Sequence, residues 1–181
     1  IHSHQVIHRD IKPANIIRRE RDRSLVLVDF GAAKRATQTE LAKTGTTIGS
    51  AGYAAPEQVS GKVTFASDLY SLGVTCLHLL TQVEPFELFS YGEDRWVWRD
   101  FLPQPISSQL ERGLTQLVAK ATTKRYLSAA DALAELNAPS FHQHYQISND
   151  LVINADVQTV ALEKAITYQR HCCMNRKRLV H

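Results

Sequence analysis

The chain has 181 residues, 44% of them hydrophobic and 22% charged, with a formal net charge of +3. Those are the proportions of an ordinary soluble globular protein, long enough to bury a core as one domain or as a domain plus a tail. So mild a charge gives no reason to expect nucleic acid or a membrane surface as partner, and the longest nearly apolar run, Leu72 to Leu80, is too short to span a bilayer.

The chain opens on Ile1 rather than Met, which points to a fragment or an unusual start. No charged-then-apolar leader with a small-residue cleavage site follows, so a cytoplasmic location is expected. Ile1 to Gln5 reads as the tail of a helix entering a strand at Val6-Ile7. Between that strand and Ile16-Ile17 lies His8-Arg9-Asp10-Ile11-Lys12-Pro13-Ala14-Asn15, a Lys-Pro turn that holds charged side chains in a loop. A loop that brings one carboxylate, one ammonium and one amide to a single point suits phosphoryl transfer. The carboxylate can accept or orient a hydroxyl proton, the ammonium can sit near the transferring phosphate, and the amide oxygen can ligate Mg²⁺. A charged hairpin with a chance match is the plain alternative, and six specified residues in eight positions speak against it.

Ile16 to Arg19 and Leu25 to Val28 are the next strand candidates, joined by the charged turn Glu20 to Arg23. This hairpin ends in Asp29-Phe30-Gly31. An aspartate at the end of an apolar strand, followed by a glycine, is well placed to hold a metal ion, although the tripeptide alone reads as a turn. From Ala32 to Ala54 periodicity disappears and hydroxyls accumulate at Thr37, Thr39, Thr44, Thr46, Thr47 and Ser50, as in a flexible polar loop. A helix is then expected, with Ser67 as cap, Asp68 in the first turn, and Leu69, Leu72, Cys76, Leu79 and Leu80 at helical spacing. Gln82 to Pro85 breaks it.

Phe86 to Pro105 reads as irregular and aromatic-rich, with one of Trp96 and Trp98 expected to pack onto the core rather than dock a partner. Leu110, Leu114, Leu117, Val118 and Ala121 make one further helical stripe. Ser128 to Asp131 is a capping-box start to another, carrying Ala132, Leu133 and Leu136. Pro139 to Gln146 reads as a linker. Beyond it Val157, Val160, Ala161 and Ala165 are spaced for an amphipathic helix, and Arg176-Lys177-Arg178 makes the end basic. His142 and His144 have no accompanying ligand set, so no metal is assigned there. Cys76 and the adjacent Cys172 and Cys173 make no disulfide framework, which fits a reducing compartment.

Several of these stretches stand in the order found in protein kinases. His8 to Asn15 resembles the kinase catalytic loop, and Asp29-Phe30-Gly31, nineteen positions after Asp10, resembles the Mg²⁺-binding motif. Gly49 to Glu57 looks like the peptide-docking loop and Ala-Pro-Glu that close an activation segment. Asp68 to Gly73 resembles the buried central helix whose aspartate braces the catalytic-loop backbone. The resemblance covers Ile1 to about Asn137 and implies an α+β, mainly α fold: the large C-terminal lobe over residues 1–138, with a small β-hairpin at the catalytic loop and the small lobe absent. Residues 139–181 are then a linker and tail of unknown role. Lys12 is the serine/threonine pattern, and Gly49 to Gln58 looks most like the bacterial eukaryotic-type (Hanks-type) kinases.

By that resemblance Asp10, Lys12 and Asn15 are catalytic, Lys12, Asn15 and Asp29 face the nucleotide, and Asn15 and Asp29 hold the metal. ATP and Mg²⁺ are the cofactors, and Ser/Thr hydroxyls of proteins are the acceptors. Arg9 is expected to meet a phosphate on Thr44, Thr46 or Thr47, while Ser50, Glu57, Asp68 and Arg125 regulate or support the site. Arg125 should pair with Glu57, although the usual Asp-Pro before that arginine is missing. No glycine-rich phosphate loop precedes Asp10, and the strand lysine and its glutamate partner are missing with the small lobe, which is the implied partner. One wall of an ATP site remains, so the isolated chain is expected to be inactive. The alternative reading is a catalytically silent kinase-like binding module or a truncated remnant.

Overall fold

The computed structural model describes residues 1–35, 50 and 52–138. The expected helix tail is a single 3₁₀ turn, His2–His4, which feeds strand β1, Val6–Ile7. β2, Ile16–Arg18, pairs antiparallel with β3, Leu25–Leu27, with Ile17 opposite Val26. Each strand is one residue shorter than the sequence suggests, β2 at the turn, where the Arg19 N–H bonds to the Ser24 carbonyl at 2.8 Å, and β3 at its far end, Val28. β4, Lys34–Arg35, pairs antiparallel with β1, Val6 opposite Arg35. Lys34 and Arg35, expected within a polar loop, return instead to pair with β1, and residues 36–49 of that stretch lie outside the described residues. A strand pair this short leaves no readable periodicity.

A short helix, α1 (Pro56–Val59), precedes the longest one, α2 (Phe65–Thr81). The expectation that Ser67 caps α2 is corrected. Thr64 is the N-cap, and Ser67 sits a turn inside, where its Oγ accepts the Thr64 N–H at 3.0 Å and donates to Glu57 Oε1 at 2.7 Å. Asp68 lies in the first turn, as expected, and is buried there.

α2 is covered on most of its circumference, as suits a helix through the middle of a domain. Tyr70, Val74 and Leu77 pack with Leu88, Trp98, Leu114 and Val118 in the main core. A hairpin of β5 (Phe89–Ser90) and β6 (Arg95–Trp96), then a 3₁₀ turn at Trp98–Phe101, occupies the stretch that reads as irregular. Trp98 is wholly buried and Trp96 packs against the same core.

α3 (Ser108–Leu117) starts at Ser107, whose Oγ accepts the Leu110 N–H, and α4 (Ala129–Asn137) starts at Ser128, whose Oγ accepts the Asp131 N–H. α3 lies close on α2 at Gly73, where a Cβ would come within 2.8 Å of Leu117 and Val118 side-chain atoms. Leu69, Leu117, Tyr126 and Ala132 form a second cluster. Leu133, expected in the α4 stripe, is instead exposed. Ala132 and Leu136, four apart, turn inward, and the position between them is about 100° away around the helix. Ile11, Ile16, Leu27, Leu69 and Leu72 line an apolar cavity of about 740 Å³ between the β2–β3 hairpin and α2.

Candidate active site

The loop after β1 is held from below by α2. Asp68 Oδ2 accepts the His8 N–H at 2.8 Å and Oδ1 accepts the Arg9 N–H at 2.9 Å. His2 Nε2 reaches the same Oδ2 at 2.9 Å. Arg9 is left-handed, φ +71°, a conformation that costs a side-chain-bearing residue about 1–2 kcal/mol and persists only where the surroundings fix it. Here the fixing comes from Asp68 on its N–H and from Gln58 Nε2, which donates to the Arg9 carbonyl at 2.5 Å. The His8 ring is buried, edge-on to Phe30, with Nε2 3.1 Å from the Val28 carbonyl. A carbonyl only accepts, so Nε2 carries the proton.

With its base fixed, the loop turns Asp10 toward three partners. Lys12 Nζ donates to Asp10 Oδ2 at 2.8 Å, and Asn15 Nδ2 donates to the same oxygen at 3.0 Å and to the Asp10 carbonyl at 2.8 Å. Ser50 gives Oδ1 both its N–H (3.0 Å) and its hydroxyl (2.8 Å), and Lys12 Nζ lies 2.5 Å from that hydroxyl oxygen. Partial burial pushes the Asp10 carboxyl up, but the hydrogen bonds from Lys12 and Ser50 and the Lys12 charge outweigh it and hold the group below its ordinary value. It is an anion at neutral pH, preset to accept from a hydroxyl.

Asp29 is brought near by the hairpin. The Val28 N–H bonds to the Asn15 carbonyl at 2.9 Å, so the residue that follows it is delivered beside Asn15. Asp29 is exposed and left-handed, φ +64°, with Oδ1 3.3 Å from the Gly31 N–H. Both Asn15 N–H donors are spent on Asp10, which leaves the amide oxygen as its free end. Two hard oxygen donors at one edge of the loop fit Mg²⁺, which takes one or two protein oxygens and completes its shell with water and phosphate. Among the described residues no cluster of three or more His, Cys, Asp or Glu side chains offers an all-protein cage.

Arg125 closes the site's far support. Its guanidinium grips Glu57 with two bonds, 2.7 and 3.0 Å, and gives its other three donors to the carbonyls of Ala66, Ala119 and Lys120. All five N–H groups are satisfied. Burial pushes the Glu57 carboxyl up, but hydrogen bonds from Arg125 and Ser67 prevail and lower it. Thr44, Thr46 and Thr47 lie outside the described residues.

The structure thus gathers Asp10, Lys12, Asn15 and Ser50 at one point, sets Arg9 and Asp68 beneath them, and pairs Glu57 with Arg125. Sequence reasoning missed His2 and Gln58, which hold the loop, and the contact between the Tyr53 hydroxyl and His78 Nδ1 that ties the segment after Ser50 to α2. Gln58 does follow the Ala-Pro-Glu triplet directly, but nothing in the spacing says that it turns to Arg9.

Residues 1–135 match the protein kinase domain family. Serine/threonine-protein kinase B of Synechocystis sp. (strain ATCC 27184 / PCC 6803 / Kazusa) is 40% identical over 152 residues, covering 78% of this chain and 26% of that protein. Serine/threonine-protein kinase PknA of Nostoc sp. (strain PCC 7120 / SAG 25.82 / UTEX 2576) is 37% identical over 142 residues, 75% of this chain and 25% of that one. PknD of Mycobacterium tuberculosis (strain ATCC 25618 / H37Rv), also a serine/threonine-protein kinase, is 35% identical over 162 residues, 83% and 24%. The chain spans about a quarter of the length of these curated relatives.

Proposed function

The chain belongs to the protein kinase domain family, and from that premise we propose that residues 1–138 form the large lobe of a bacterial eukaryotic-type serine/threonine kinase. Asp10 receives the acceptor Ser/Thr hydroxyl of a protein substrate and orients or takes its proton. Lys12, fixed against Asp10 at 2.8 Å, sits where the transferring phosphate meets that hydroxyl. Ser50 holds the place of a hydroxyl on Oδ1 and ties the end of the activation segment to the catalytic loop. Asn15 and Asp29 would hold the Mg²⁺ of Mg²⁺-ATP through their side-chain oxygens, and the ion would supply positive charge against the phosphates. The opposite wall of the nucleotide site comes from a small lobe, without which we expect the 181 residues to be inactive. The observation that carries this reading is the Asp10 carboxylate, held as an anion by Lys12, Asn15 and Ser50 on one loop.

The test is a fusion of this chain behind the part of the Synechocystis kinase B that precedes the matching stretch. With Mg²⁺-ATP the fusion should phosphorylate Ser/Thr peptides, and the nearly isosteric Asp10→Asn should lose on the order of 10²–10⁴ in rate while its unfolding midpoint stays put. Equal rates in the two proteins would remove Asp10 from the chemistry. A well-folded fusion with no transfer would favour the silent binding module.

A further inference from the structure

The turn after α2 carries an aromatic ring to the edge of the loop that docks the peptide, outside the catalytic group itself. The Glu87 N–H bonds to the Glu84 carbonyl at 3.0 Å and the Leu88 N–H to the Pro85 carbonyl at 3.2 Å, which closes Glu84-Pro85-Phe86-Glu87 into a tight turn. Pro85 and Leu88 are buried, so the turn is anchored in the core while the Phe86 ring is held outside it, 51% exposed. A lone exposed phenylalanine is ordinary on a protein surface. The place of this one is not, because the docking loop lies directly on it. Gly52, two residues past the Ser50 that bonds to Asp10, has φ +90°, and a Cβ there would come 3.2 Å from Pro85 Cβ and 3.5 Å from Phe86 Cε2.

Glu84 and Glu87 stand at the two ends of the same turn, both exposed. Among the described residues no Lys or Arg pairs with either carboxylate. Glu84 is near enough to Tyr53 and His78 for its charge to act on both, which sets it on the docking-loop side. A phenyl face between two unneutralised carboxylates complements a planar cation: a guanidinium stacks on the ring and donates to the carboxylates at its edge. From the Ser50 hydroxyl on Asp10 to the Phe86 ring the path spans two residues and one van der Waals contact, roughly 10–15 Å, which an extended peptide covers in about three or four residues.

We propose that Phe86, with Glu84 and Glu87, determines substrate specificity by taking an arginine of the acceptor protein about three or four residues from the Ser/Thr that meets Asp10. The distance from the acceptor rests on the kinase reading. The grip of the turn on an arginine side chain does not, and it is read separately.

On the full 181-residue chain, a serine peptide carrying a single arginine is titrated while the nuclear resonances of the Gly52 amide and the Phe86 ring are followed. Both should shift saturably, with a dissociation constant about fivefold weaker in Phe86→Ala and in the Glu84→Gln/Glu87→Gln double variant. Phe86→Tyr, which keeps the ring, should bind as the parent does. All three side chains are exposed, so unfolding midpoints should hold. In the fusion described above, the arginine is moved along both sides of the serine. It should raise kcat/KM about fivefold, through KM, when it stands three or four residues away, and Phe86→Ala should abolish that preference. A Phe86→Ala chain that binds the arginine peptide as tightly as the parent overturns the proposal. So does the absence of shifts at Gly52 and Phe86, or transfer that is indifferent to arginine or prefers it elsewhere. A fusion that transfers no phosphate, with the titration as expected, counts against the proposed function and not against Phe86.

Discussion

Replacing Arg125 with methionine should be among the most damaging single changes in the chain. The Arg125 side chain is 0% accessible, and methionine keeps much of its volume while removing all five donors and the guanidinium stacked 4.6 Å above Tyr70. Left behind are a Glu57 side chain only 14% accessible and the carbonyls of Ala66, Ala119 and Lys120. Breaking a buried pair from one side typically costs about 3–5 kcal/mol, because the surviving charge stays desolvated. Ser67 still donates to Glu57, which offsets a part, so a loss of about 3 kcal/mol is expected. That is a large share of a domain's usual 5–15 kcal/mol (roughly). Urea unfolding followed by circular dichroism measures it. Adding Glu57→Gln to the variant should recover about 1 kcal/mol or more relative to the sum of the single changes, since the orphaned charge goes with it. Arg125→Lys, which keeps a charge but cannot form the two-pronged contact, should fall between. An Arg125→Met protein within about 1 kcal/mol of the parent would refute the view that this clamp fastens the segment carrying Glu57 to α2.

Gly73→Ala places a methyl 2.8 Å from Leu117 Cβ and Val118 Cγ1, so the α2–α3 contact must part and about 1–3 kcal/mol should be lost in a urea titration; an unchanged midpoint would show that the helices have slack. Acid should destabilise the chain. Glu57 and Asp10 are depressed below ordinary values of 4.5 and 3.8 in the fold, so their stabilisation is present above those values and disappears as pH falls through the lower folded ones. Stability should therefore fall once pH drops below about 4.5, more gently in the Arg125→Met chain, and a gain on acidification would contradict the assignment. Calorimetric titration of the isolated chain with Mg²⁺-ATP should give an affinity of about millimolar or weaker, near 4 kcal/mol. Micromolar binding would mean that these residues supply more of the nucleotide site than one wall.

What the sequence revealed were the residues whose chemistry is local. Asp10, Lys12 and Asn15 lie within six positions, and a turn suffices to bring them together. The Glu57–Arg125 contact spans 68 residues and was reachable only through resemblance, because no spacing rule links those two positions. The same limit hid Gln58 against the Arg9 carbonyl and His2 against Asp68. Cap assignment failed by one turn because Thr64 and Ser67 are both good caps and act reciprocally, so choosing between them needs the backbone angle at Thr64. Leu133 was misplaced because a nine-residue helix has too few apolar positions to fix its rotation. Strands of two residues, as in β4, β5 and β6, carry no alternation at all.

The placement of the two tryptophans has an optical consequence. Trp98 is sealed in the core with the Arg99 guanidinium 4.7 Å from its ring, while Trp96 is partly accessible and lies 5.3 Å from Phe89 and 6.3 Å from Tyr70. Intrinsic emission should therefore divide into a blue-shifted component beyond the reach of iodide or acrylamide and a second that quenchers reach. Tyr70 links the second component to the guanidinium of Arg125, so removing that cation should alter the light from Trp96 before anything unfolds. The loop from His8 to Asn15 and the β2–β3 hairpin contain no indole, and their local opening would pass unseen in fluorescence.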